Sequence, residues 1–130
     1  MRRLIKQSFN QGEALRHAVK QYKKEKNMEL KTLTPDNFEE FIGSDTPVMV
    51  DFFATWCESC KFMLPILSKI VAEQDKEIIG TVDVDDYRDL AVKYGVKSIP
   101  TLIVFQNGEV KETSIGRVSK DKVLELLGIQ

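Results

Sequence analysis

The stretch Val48-Met49-Val50-Asp51-Phe52-Phe53-Ala54-Thr55-Trp56-Cys57-Glu58-Ser59-Cys60-Lys61 sets the chain's only two cysteines, two residues apart, directly after an apolar run. Val48 to Ala54 is apolar at both parities, the pattern of a central strand covered on both faces. From Cys57 onward Phe62, Leu64, Ile66, Leu67, Ile70 and Val71 recur at helical spacing, so a helix opens at the first cysteine. A sulfur at that point faces the free N–H groups and positive end of the helix, which stabilise a thiolate. Cys57 is therefore the candidate nucleophile and the more exposed of the two, and Cys60, one turn further in, the thiol that resolves a mixed disulfide on Cys57. The competing reading is a structural or half-zinc pair. Zinc in a structural site takes about four ligands, and the only histidine, His17, lies well upstream.

Outward from this centre the chain alternates strand and helix. Glu29 to Leu33 is a short strand candidate, and Thr34 is placed to cap a helix with Pro35 at its first position and Phe38, Phe41 and Ile42 on one face. Gly43-Ser44-Asp45 ends it. Pro65 falls inside the helix after Cys57 and predicts a kink. Ile78 to Val84 reads as a strand, Tyr87 to Tyr94 as a helix closed by Gly95. Asn107-Gly108, between Thr101–Phe105 and Val110–Ile115, is a strong hairpin signal. Ser119 caps a last helix with Val123, Leu124, Leu126 and Leu127 as its stripe. The result is α/β: one mixed sheet sandwiched by helices, with Phe52, Phe53, Phe62 and Phe105 read as core.

A chain of 130 residues holds one ordinary domain. Its net charge of −1 hides an asymmetry: residues 1–27 carry eight Lys/Arg against Glu13 and Glu25, net +6, which leaves −7 for residues 28–130. Two cysteines in one tight motif do not make a secreted disulfide framework, so a reducing compartment is expected. No apolar stretch reaches the ~18 residues of a spanning helix, and Leu4-Ile5 falls short of the apolar core of about 7–15 that a signal peptide needs. A cytoplasmic protein with no membrane and no nucleic-acid partner is the expectation for the domain. The arm itself, with Leu15, Ala18, Val19 and Tyr22 on one face of a basic helix, has three readings: a targeting segment, an interaction helix for an acidic or nucleic-acid partner, or a dispensable extension.

A C-x-x-C pair points to redox chemistry only in a βαβ context. Asp51-Phe52-Phe53-Ala54-Thr55-Trp56-Cys57, Lys61 after the second cysteine, Pro65, Ser98-Ile99-Pro100-Thr101 before an apolar run, and Gly116 supply that context in order and spacing. Over residues 28–130 the chain resembles the thioredoxin family. The resemblance implies a thioredoxin domain at 28–130 behind a 1–27 extension, a central mixed sheet flanked by helices on both faces, and a thiol:disulfide oxidoreductase that reduces protein disulfides through Cys57 and Cys60. It also implies a monomer without a tightly bound cofactor, supplied with electrons by a flavin-dependent, NADPH-linked thioredoxin reductase.

Asp51 interrupts a buried strand, where an unpaired carboxylate is costly and holds its proton more tightly; read from the residues alone, a solvated strand position is the alternative. By resemblance Asp51 is the general base for Cys60. The family's usual lysine near it is replaced by Thr81, which removes a cation that favours ionisation. Pro100 is an ordinary loop proline by composition; the resemblance makes it cis, facing the dithiol, and leaves the backbone of Ile99 free to pair with substrate. Trp56 and Gly116 complete that shallow groove.

The inter-cysteine pair is Glu58-Ser59, where thioredoxins have Gly-Pro, disulfide isomerases Gly-His and glutaredoxins Pro-Tyr. Glu58 beside Cys57 disfavours a thiolate; a Ser59 hydroxyl donating to the sulfur and an Arg117 in place of the family's small residue oppose it. These three are the expected redox-tuning positions. The altered pair and Arg117 leave open a partner-specific or glutaredoxin-like reductase, and the altered pair a thioredoxin-fold binding module; an iron–sulfur cluster or zinc shared between two chains through paired C-x-x-C motifs is a third option.

Overall fold

The computed structural model describes residues 30–130, so the basic arm and Glu29 lie outside the described residues. In chain order the elements are β1 (Lys31–Thr32), α1 (Phe38–Ile42), β2 (Val48–Phe53), α2 (Glu58–Gln74), β3 (Ile79–Asp83), α3 (Arg88–Lys93), β4 (Thr101–Gln106), β5 (Glu109–Ile115) and α4 (Lys120–Leu127). The strands form one sheet in the order β1-β3-β2-β4-β5. β3 runs parallel to both β1 and β2, whereas β4 is antiparallel to β2 and to β5. β2 thus lies at the centre, as its unbroken apolar run requires.

Alternation along β2 separates two cores. Val48, Val50 and Phe52 pack with Phe38 of α1 and Ala91 of α3, and Met49 packs with Met63 and Leu67 of α2 and Val123 of α4. Helices therefore cover both faces, in pairs. A Lys120–Glu73 ion pair at 2.8 Å adds a polar tie between α4 and α2.

Local chemistry explains most boundaries. Asn107 and Gly108 have φ of 54° and 79°, the left-handed pair a two-residue hairpin demands. Ser119 Oγ accepts the Lys122 N–H at 3.2 Å, capping α4. At Thr34 the expected helix start is corrected: α1 begins at Phe38. Thr34 Oγ accepts from the Asp36 N–H and Asn37 Oδ1 from the Thr34 N–H, so these side chains stabilise a turn ahead of the helix. The first strand is likewise shorter than expected. α2 runs through Pro65 without ending there.

Candidate active site

Cys57 is the N-cap of α2, with extended backbone, and its sulfur accepts the Cys60 N–H at 3.2 Å. This bond satisfies one of the donors that a helix start leaves without a partner. Both thiols are free. Cys57 retains 7% exposure and Cys60 1%, so an incoming disulfide meets Cys57 first. Burial above all, then the bond to Cys57 and the charge of Asp51, push the Cys60 thiol up to about 12. At neutral pH Cys60 is protonated and needs a base before it can attack.

Asp51 lies on β2 wholly excluded from solvent, and neither carboxylate oxygen has a hydrogen-bond partner among the described residues. Its register neighbours are Thr81 on β3 and Leu102 on β4, neither of them a cation. Desolvation with nothing to offset it raises the carboxyl from 3.8 to about 7. A carboxyl in that range exchanges a proton readily at neutral pH, which suits it to general-base work.

The rim is built by chain crossings. The Ile99–Pro100 peptide is cis, and the Pro100 carbonyl accepts the Gly116 N–H at 2.8 Å. Gly116 has φ of 91° and open space where a Cβ would stand, so a side chain there would strain the backbone and cover the surface. Ile99 packs on Ala54, Cys57 and Cys60. Trp56 is 66% exposed, and its indole N–H donates to Asp85 Oδ2 at 2.9 Å. Trp56, Ile99, Val84 and Lys97 line a cavity of about 210 Å³ beside the dithiol.

Glu58 and Ser59 open α2, and Arg117 follows Gly116. Glu58 points out, 88% exposed, and meets Lys61 at 3.5 Å, one turn along the helix. The donor at Cys57 is the Cys60 backbone; among the described residues no bond from the Ser59 hydroxyl reaches that sulfur. Arg117 lies over the Phe62 ring at 4.3 Å and, among the described residues, makes no ion pair with Glu58. Phe62, read as core, is 46% exposed, because its position on α2 faces this arginine and not the sheet. Phe53 is half-buried; Phe52 and Phe105 are core.

Asp85 and Lys97 belong to the site without having been singled out from the sequence, whereas Lys61, part of the motif there, is seen to meet Glu58. Asp85 sits in an acidic run just past β3, at the same end of the sheet as Trp56, which is the one signal that marks it. Among the described residues no group of three or more His, Cys, Asp or Glu side chains is placed to hold a metal.

Comparison with known proteins agrees with this geometry. The family model described as Thioredoxin matches residues 29–128. A thioredoxin of Chlamydia caviae is 40% identical over 98 residues, covering 75% of this chain and 95% of that protein. A thioredoxin of Rickettsia prowazekii is 42% identical over 95 residues, covering 72% and 90%. Among solved structures, a mutant thioredoxin from Halobacterium salinarum superposes with a TM-score of 0.70 at 28% identity, over 76% of this chain and 88% of that one. A Malassezia sympodialis thioredoxin gives 0.68 at 30% identity, over 77% and 89%. With its five-stranded mixed sheet and paired thiols at the start of α2, the chain belongs to the thioredoxin family and is a thiol:disulfide oxidoreductase.

Proposed function

We propose that the protein acts mainly as a reductant of disulfides in other proteins, with Asp51 as the base for its second thiol. The observation that carries this reading is the Asp51 carboxyl, wholly buried and without a hydrogen-bond partner among the described residues, raised to about 7, behind a Cys60 thiol raised to about 12. The Cys57 thiolate attacks one sulfur of a substrate disulfide; that S–S bond breaks, one substrate thiolate leaves, and a Cys57–substrate disulfide forms. Cys60 then passes its proton to Asp51 and attacks Cys57. The Cys57–Cys60 disulfide forms as the second substrate thiolate leaves, so two electrons pass to the substrate. Trp56, the Ile99 backbone, Pro100 and Gly116 hold the substrate segment extended across the dithiol, and Glu58, Ser59 and Arg117 adjust the potential.

An NADPH-linked thioredoxin reductase is the proposed electron donor, consistent with the family assignment. The protein serves as a monomeric electron carrier in cytoplasmic redox homeostasis. Support for a reducing compartment is the use of both cysteines in the reactive pair, and among the described residues no helix is long and apolar enough to cross a membrane. The unit that does this is residues 28–130, with 1–27 an appendage. The test is reduction of insulin interchain disulfides with dithiothreitol, then with NADPH and thioredoxin reductase against NADPH, glutathione reductase and glutathione. Turnover with the first enzyme system is expected; turnover with glutathione alone would make the protein glutaredoxin-like.

A further inference from the structure

Beside the dithiol, Arg117 is a cation fixed in place and left without a carboxylate partner among the described residues. Its segment is anchored on both sides: the Gly116 N–H bonds Pro100, and the Val118 N–H approaches Met63 Sδ at 3.4 Å on α2. Between these anchors the guanidinium lies over the ring of Phe62, two residues past Cys60. Stacking holds the guanidinium plane and leaves its edge N–H groups free for a bidentate anion. It also accounts for a phenylalanine 46% exposed on an enzyme surface.

Of the neighbouring cations Lys61 is engaged by Glu58, and Lys97, with no ion-pair partner among the described residues, lies on the Trp56 wall, sharing the cavity with a tryptophan that holds Asp85. On the Gly116 wall the unopposed charge is Arg117, in a domain whose residues 28–130 carry net −7. Such a domain repels acidic partners at long range, so a cation held on the Gly116 side of the groove, over a ring two residues past Cys60, acts as a positional selector.

We propose that Arg117, held by Phe62, is a specificity-determining residue that favours substrate segments carrying a carboxylate beside the attacked cysteine, on the Gly116 side of the groove. This rests on the reductase reading above. Disulfide-bridged peptides that differ only by Glu against Gln next to one cysteine or the other separate the two ideas. The full chain should reduce one Glu peptide about two- to fivefold faster in kcat/KM than its Gln twin, the range of an exposed ion pair, with the advantage shrinking at high salt. Arg117→Gln should abolish the preference, Arg117→Glu reverse it, and Phe62→Leu, which keeps the charge but removes its platform, reduce it. Equal rates on both peptides with full turnover, or an Arg117→Gln protein slowed on both alike in step with its reduction potential, would overturn the selector. Failure to reduce any peptide would instead bring down the reductase reading and this inference with it.

Discussion

Replacing Asp51 by Asn keeps the size and removes the ionisable proton from the centre of β2. The folded carboxyl titrates at about 7 and the unfolded one at 3.8. Below pH 3.8 both states hold the proton, and the parent carries no ionisation penalty. As pH rises from 3.8 to about 7 the unfolded chain alone ionises, and the parent loses stability; above that both states are charged and the loss is constant. Each tenfold difference in proton affinity is worth about 1.4 kcal/mol, so the full loss is roughly 4 kcal/mol, with no discount for screening because the group is wholly buried. Cys60, titrating at about 12, stays a thiol throughout this window and does not contribute. Groups shared by parent and variant, such as Glu73 held low by Lys120, cancel in the difference. Urea unfolding of both reduced proteins across the pH range should show curves that coincide near pH 3.5 and part steadily up to pH 7.5, with Asp51→Asn the more stable. A gap independent of pH, or a parent equal to the variant at pH 7.5, would refute a carboxyl buried without a partner.

Thr81→Lys would place a cation opposite Asp51 in register, and should lower the carboxyl's midpoint by about one to three pH steps, read from the pH dependence of mixed-disulfide release. Glu58→Gly should make the reduction potential less negative by under about 10 mV, since a tenfold change is about 30 mV and an exposed carboxylate already beside Lys61 is well screened; glutathione equilibration measures it, and a larger change would put the Glu58 charge at the sulfur. Removal of residues 1–27 should leave insulin reduction unchanged, and a several-fold loss would tie the basic arm to catalysis.

Elements with a local chemical cause were legible from the chain. Asn107-Gly108 has a geometry that other residue pairs resist, Ser119 caps a helix with its own hydroxyl, and an apolar run on both parities has few places to go but the centre of a sheet. The dithiol is legible from its spacing and the burial of Asp51 from the apolar run around it, while Thr81 as its neighbour is implied only by the family resemblance and is found in register in the structure. What sequence did not show depends on distant partners. Trp56 finds Asp85 twenty-nine positions away. Phe62 has the composition of a core residue and the helical phase of a surface one, and only the loop carrying Arg117 resolves the conflict. The start of α1 was misplaced because Thr34 and Asn37 use their side chains on a turn, an option that competes with capping whenever Thr and Asn lie three apart.

The assigned order of the two sulfurs is tested most directly by trapping. Reduced Cys60→Ser protein is mixed with a disulfide-containing protein, and the product mapped by mass spectrometry under non-reducing conditions. The account predicts a single adduct joined through Cys57, released by dithiothreitol and absent with the parent, whose Cys60 clears it, and with Cys57→Ser, which has no nucleophile at the helix start. An adduct that instead accumulated on Cys60 in the Cys57→Ser protein, or a Cys60→Ser protein that kept full insulin turnover, would contradict it.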